Sequence, residues 1–131
     1  ASCAIPPVFS AVTIDGRRLV DGGYVNAVPA SVARTLGADV VIGINLCSDD
    51  FNTEAKAALD KSYKVNKVAY KDRVKSGREN SDFFLEPDLN GYSTFAIGSF
   101  DPMYVIGYEC AKQNMPEILK LLKRKKVKVN V

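Results

Sequence analysis

The sequence predicts an α/β domain built on a mainly parallel sheet, and three observations carry that prediction. "DVVIGINL", residues 39–46, is short, β-branched and almost wholly apolar, which suits a parallel strand covered on both faces. Before it, "RLVDGG" and "VPASVARTLGAD" read as a strand, a turn and a helix, so the whole stretch is expected to form a βαβ unit. The second half of the chain then carries mostly helical periodicity. With 131 residues, 47% of them apolar, there is enough chain for one globular domain with its own core.

Taken in order, "RLV" is the first strand and Asp21, Gly22 and Gly23 its exit turn. The helix that follows has Pro29 near its first turn, Val32, Ala33 and Leu36 on one face, and Gly37 as its stop. From Asn52 to about Ser76 the pattern is a solvated amphipathic helix, with Ala55, Leu59, Tyr63, Tyr70 and Val74 near one stripe and lysines around the rest. A brief strand at Phe83 to Glu86 leads into turn chemistry at Pro87-Asp88 and Asn90-Gly91. Asp101 and Pro102 open another helix as N-cap and first-turn residue. Pro116 is expected to break it, leaving a second short helix that turns Ile118, Leu119, Leu121 and Leu122 inward before a basic end.

Charge and composition narrow the possible functions. The net charge of +3 is uneven, because Lys120 to Lys128 carries six basic residues and no acid, which leaves −3 for the remainder. Cys3, Cys47 and Cys110 are odd in number and far apart, so neither a disulfide framework nor a zinc site is suggested, and a reducing compartment fits. The cysteines read as small core residues. No apolar run approaches the roughly 20 residues of a bilayer span, and the start lacks a charged leader with an apolar core. The chain therefore reads as soluble, cytoplasmic or peripheral to a membrane. It contains no histidine, which excludes a Ser-His-Asp relay from these residues. The glycines never form a phosphate-binding loop, which removes the main support for a nucleotide-binding half. "GYSTF" approaches the G-x-S-x-G nucleophile elbow but lacks its last glycine, so Ser93 is a poor nucleophile candidate. Only about three strands are visible, whereas the apolar strand asks for parallel neighbours on both sides.

For Asp21 two readings stand. In the structural one, its carboxylate accepts backbone hydrogen bonds from a tight turn that the two glycines permit. In the chemical one, it is a general base at the end of a strand, poorly solvated and hence with raised proton affinity.

Three stretches resemble the C-terminal part of a patatin-like phospholipase domain. "ASCAIPPVFSAVTIDGRRLVDGG" is similar to that family's Ile-Pro-x-x-Phe segment and the strand leading into Asp-Gly-Gly or Asp-Gly-Ala. "YVNAVPASVARTLGADVVIGINL" resembles its Asn-x-x-Pro helix and Gly-Ala-Asp strand. "LEPDLNGYSTFAIGSFDPMYVIGYECAK" resembles its Pro-Asp-Leu turn and Ile-Gly-Tyr-Glu helix. The likeness is collinear over residues 1–123, and residues 124–131 form a basic tail.

What the resemblance implies is part of a three-layer α/β/α lipid acyl hydrolase whose complete form cleaves acyl ester bonds of phospholipids or related lipids through a serine–aspartate dyad. Asp21 is then the base, supported by Gly22, Gly23 and Asn26, with no cofactor and no metal. The elbow serine and a glycine-rich oxyanion loop are expected earlier in the complete chain. On that reading residues 1–131 are inactive alone, and their partner is the missing N-terminal half. Pro6, Pro7 and Phe9 are candidates for shaping an acyl groove, against simple packing onto the sheet. Asn26 either bonds the turn after the motif or caps the next helix. Lys120 to Lys128 is a candidate contact with an anionic membrane, against a solvated helix end. A homo-oligomer is compatible with the unpaired strand edge, and no nucleic acid partner is expected. The alternative is a non-catalytic interaction module or pseudoenzyme that keeps the patatin scaffold.

Overall fold

The structure is a computed structural model, and it describes residues 1–5, 9–24, 26–46, 67–92, 98 and 100–127. Its elements are β1 (Val12–Ile14), β2 (Arg17–Leu19), a 3-10 turn (Gly22–Tyr24), α1 (Ala30–Thr35), β3 (Ile42–Ile44), α2 (Lys67–Glu79), β4 (Phe83–Leu85) and α3 (Phe100–Arg124). Strands β3 and β4 pair in parallel, with Ile42 opposite Phe83 and Ile44 opposite Leu85, which is the α/β arrangement expected. The strand expected at Phe83 is in place.

Strand β2 departs from expectation. "RLV" pairs antiparallel with β1, Val12 opposite Leu19 and Ile14 opposite Arg17, and does not lie beside β3. No βαβ unit therefore runs through α1. The reason is local: Asp15 and Gly16 both adopt positive φ, 49° and 73°, as a two-residue primed turn requires. Its twist matches that of the flanking strands, so the hairpin closes on its nearest neighbour. β3 and β4 are joined instead through the segment that contains α2.

Helix α1 stops at Gly37 as expected. Gly37 has a φ of 92°, its N–H donates to the Arg34 carbonyl at 2.9 Å, and the Ala38 N–H donates to Ala33 at 3.1 Å. That pair of bonds is the Schellman pattern, which satisfies carbonyls the helix leaves open. Its buried face is not the one the periodicity suggested. Val32 is 48% and Leu36 82% exposed, while Ala30 is buried at 3%. With only six residues, α1 holds to the rest of the chain through Ala30 and through Arg34. Helix α2 lies against the preceding loop at a glycine: a Cβ on Gly77 would come within 2.5 Å of Val28 Cβ and 2.7 Å of its carbonyl oxygen. Residues 55, 59 and 63 of the expected amphipathic stripe lie outside the described residues.

Strand β3 buries Val41, Gly43 and Asn45 on one face and exposes Ile42, Ile44 and Leu46 on the other. Expected to be covered on both faces, it is covered on one among the described residues. Gly43 is a socket: a Cβ there would meet the Phe84 ring at 2.7 Å, so the missing side chain lets the aromatic lie across the neighbouring strand.

Helix α3 runs through Pro116 without breaking and spans 25 residues. Pro116 and Lys112 both sit on the exposed face. There water can serve the Lys112 carbonyl that proline leaves without a donor, which lessens the penalty of a mid-helix proline. Ile118 and Leu121 are buried and Leu119 and Leu122 half-buried, as the periodicity predicted. The helix ends in a second Schellman pattern, with Lys126 N–H to Lys123 and Val127 N–H to Leu122, both at 3.0 Å, and Lys126 at a φ of 57°. Cys3 is an exposed thiol rather than a core residue, Cys110 is half-buried, and Cys47 lies outside the described residues. No helix among the described residues is long and apolar enough to cross a membrane.

Candidate active site

The Asp-Gly-Gly turn sits between the hairpin and α1. Asp21 is half-buried, and its own N–H donates to the Ala4 carbonyl at 3.0 Å, tying the first residues of the chain to the motif. Gly23 N–H donates to Asp21 Oδ1 at 2.7 Å. The two residues are two apart, so the carboxylate is held by its own turn. Asn26 N–H then donates to the Gly22 carbonyl at 2.9 Å and closes the loop.

The two glycines do different work from that expected. Neither is among the glycines with positive φ, which are Gly16, Gly37 and Gly91. Gly23 leaves room for the carboxylate: a Cβ there would lie 2.9 Å from Asp21 Oδ1, and the side chain would have to shift to keep its bond to the N–H. A Cβ on Gly22 would meet nothing within 4 Å among the described residues. The strand before the motif does not supply the dryness expected of it. Arg17 and Arg18 are exposed and Leu19 is half-buried, so β2 is an open hairpin arm.

Asn26 does not cap α1, whose N-terminal flank is Pro29 with no side-chain capping bond. Its Oδ1 is buried and has no hydrogen-bond partner among the described residues. Phe9 is 56% exposed, with its N–H bonded to the Ile5 carbonyl at 2.9 Å. Pro6, Pro7 and Ser93 lie outside the described residues. Among the described residues no cluster of three or more histidine, cysteine or acidic side chains could hold a metal ion.

Two polar clusters away from Asp21 were not visible in the sequence. Asp82, at the start of β4, accepts the Val41 N–H at 3.0 Å, pairs with the Arg34 guanidinium, and lies 3.3 Å from Lys125 Nζ. The Val41 hydrogen bond, followed by those from Arg34 and Lys125, outweighs the opposing effect of burial and lowers the Asp82 carboxyl from 3.8 to about 2. Arg34 also donates to the carbonyls of Asn80 at 3.2 Å, Ala38 at 3.3 Å and Asp39 at 3.2 Å. At the other end of the parallel pair, Glu86 accepts from Asn45 Nδ2 at 3.1 Å and pairs with Arg78, whose guanidinium lies 4.5 Å from the Phe84 ring centroid. Burial alone would raise the Glu86 carboxyl, but the bonds from Arg78 and Asn45 bring it below its ordinary value. Both clusters join elements far apart in the chain. They tie α1, α2 and the end of α3 to the β3–β4 pair.

The patatin-like phospholipase profile matches residues 1–34, which hold the hairpin, the Asp21 turn and most of α1. The chain is 34% identical over 121 residues to patatin-like phospholipase domain-containing protein 7 of Rattus norvegicus, covering 72% of this chain and 9% of that protein. It is 32% identical over 132 residues to neuropathy target esterase sws of Drosophila melanogaster, covering 81% and 9% respectively. Lysophospholipase nte1 of Emericella nidulans is 22% identical over 144 residues, covering 90% of this chain and 9% of its own length. The chain thus spans about a tenth of the length of these relatives. The profile falls on the Asp21 turn and the relatives align over most of the remaining chain, so the chain belongs to the patatin-like phospholipase family.

Proposed function

We propose that this chain supplies the base half of a serine–aspartate dyad in a lipid acyl hydrolase, with Asp21 as general base and the nucleophilic serine outside these residues. The observation that carries the reading is the Gly23 N–H bond to Asp21 Oδ1 at 2.7 Å. It fixes the carboxylate against rotation while Oδ2 makes no hydrogen bond among the described residues. A serine hydroxyl is a weak nucleophile until its proton is taken as the carbonyl is attacked. Asp21 Oδ2 takes that proton as the serine oxygen bonds to the acyl carbon. The same proton then passes to the departing alcohol oxygen as the ester bond breaks and the acyl-enzyme forms. Water repeats the sequence in deacylation, giving its proton to Asp21 as its oxygen attacks, and serine recovers a proton as it leaves. The absence of histidine from the chain agrees with a base that acts directly. The phospholipase and esterase names of the relatives support acyl ester lipids as the substrate class.

The test is Asp21→Asn in the full-length protein, assayed on a short-chain ester with circular dichroism as the check on folding. Asn keeps the shape and the bond from Gly23 but accepts no proton. Loss of a general base costs on the order of 10²–10⁴-fold in turnover. A folded variant with wild-type turnover refutes the role; a folded wild-type protein without esterase turnover would instead favour a non-catalytic module on the same scaffold.

A further inference from the structure

We propose that α3 lies on the surface of a bilayer that carries anionic phospholipid, its exposed aromatic flank set among the headgroups and its basic end held by their charge. Helix α3 packs onto the rest of the chain near one end: its buried residues are Ile118 and Leu121, and from Phe100 to Glu117 no side chain is buried. That long unburied stretch is not polar. Phe100, Tyr104, Val105, Tyr108 and Met115 are all exposed, Tyr104 by 72%. Steps of four, four and seven residues from Phe100 to Met115 keep these side chains on one flank, with Val105 at its border. A continuous apolar flank held in water forgoes the favourable transfer of its side chains and marks an interaction surface.

The chemistry of the flank says what covers it. Tyr104 and Tyr108 stack with ring centroids 6.3 Å apart and planes at 20°, and Lys112 Nζ lies 5.6 Å from the Tyr108 centroid. A ring with a polar tip suits the headgroup level of a bilayer, where one end is apolar and the other wet. A lysine there lays its stem along apolar surface and keeps its ammonium in water. In a dry protein core the same hydroxyls and ammonium would each need a partner. Charge adds direction. Lys123 stands 11 residues after Lys112, about three helical turns, and so continues the same border of the flank. Lys112 is matched by Glu109 at 3.3 Å, so the uncompensated charge gathers at the helix end, on the exposed Lys123, Arg124 and Lys126. An apolar flank edged by cations is how a helix lying in the plane of an anionic interface is built. No helix among the described residues is long and apolar enough to cross instead. This contact makes no demand on the role of Asp21.

The experiment compares full-length wild type with the double variant Tyr104→Ser, Tyr108→Ser by sedimentation with vesicles of phosphatidylcholine alone and of an equimolar mixture with phosphatidylserine. Wild type should prefer the mixed vesicles. The double variant should bind them about tenfold more weakly, as loss of two buried rings produces, and that loss should persist at high salt, which screens only the basic end. Tyr104→Trp in the same protein reports position: its emission should move to the blue on the mixed vesicles and be quenched by lipids brominated on their acyl chains. Binding by the double variant equal to wild type, or a Tyr104→Trp signal untouched by bromine, overturns the proposal. So does a double variant that melts at a markedly lower temperature or elutes as a smaller species, because the flank is then covered by the rest of the protein or by a second copy.

Discussion

Asp21 and Asp82 are both acids at the end of a strand, and only one of them was legible in the sequence. Asp21 is readable as a turn acceptor because its partner is local: Gly23 is two residues away, and its N–H donates to the carboxylate. Asp82 draws on Arg34, 48 residues earlier, and on Lys125 near the other end of the chain, so no window of sequence contains the cluster. The glycines were expected to supply an unusual φ, and neither does; a Cβ on Gly23 would instead come close to the Asp21 carboxylate, while one on Gly22 meets nothing within 4 Å among the described residues. Asp82 also carries a pH prediction. Its folded value of about 2 lies below the ordinary 3.8, so the fold favours the charged form. The stabilisation is fully present above about pH 4 and is lost as pH falls through about 2. A shift of this size corresponds to roughly 2 kcal/mol at neutral pH. Asp82→Asn should therefore be less stable than wild type near pH 6, and the gap should close toward pH 2. Urea unfolding at both pH values measures it; a gap that does not change with pH contradicts the assignment.

Among the elements, the helices and the parallel pair were readable from periodicity, while pairing and continuity were not. "VTIDGRRL" has the Asp-Gly signal of a hairpin between strand-forming residues, and that signal outranks the apparent strand-helix-strand order. Pro116 marked a break that the helix does not make, because one unpaired carbonyl on a wet face costs less than ending a run whose later turn buries Ile118 and Leu121. Gly77 offers the sharpest test of packing between elements. On helix propensity alone, Gly77→Ala should stabilise α2 by about 1 kcal/mol. The contact with Val28, at 2.5 Å to Cβ, reverses the sign, since neither backbone can move without shifting its element. Overpacking of this kind costs about 1–3 kcal/mol. Chemical denaturation should show a net loss, and a more stable Gly77→Ala variant would contradict the close approach of α2 to the loop before α1.

On the scale of the whole molecule, the chain presents a turn whose carboxylate is held by the Gly23 N–H, a parallel strand pair with one exposed apolar face, and ion pairs at Asp82 and Glu86 that join distant elements. The class of fold was legible because the "DVVIGINL" strand is apolar; the neighbours that strand asks for were not, because pairing depends on residues distant in sequence. The basic end of α3 is less uniform than its sequence suggested. Lys120 lies 3.1 Å from Glu117 and Lys125 3.3 Å from Asp82, and Lys128 lies outside the described residues, so contact with an anionic membrane, as we propose, rests among the described residues chiefly on Lys123, Arg124 and Lys126. Each could add about 1 kcal/mol near such a surface, weakened by salt. Replacing these three with Gln in the full-length protein should lower sedimentation with anionic vesicles, and unchanged binding would refute the contact. The central claim remains that Asp21 activates a serine, and its most direct measurement is the rate at which a fluorophosphonate ester labels that serine in full-length wild type and in Asp21→Asn. Labelling needs only the activated nucleophile, so substrate binding and product release drop out. The account predicts a labelling rate lower by on the order of 10²–10⁴-fold in Asp21→Asn with an unchanged circular dichroism spectrum; labelling of the folded variant at the wild-type rate would contradict it.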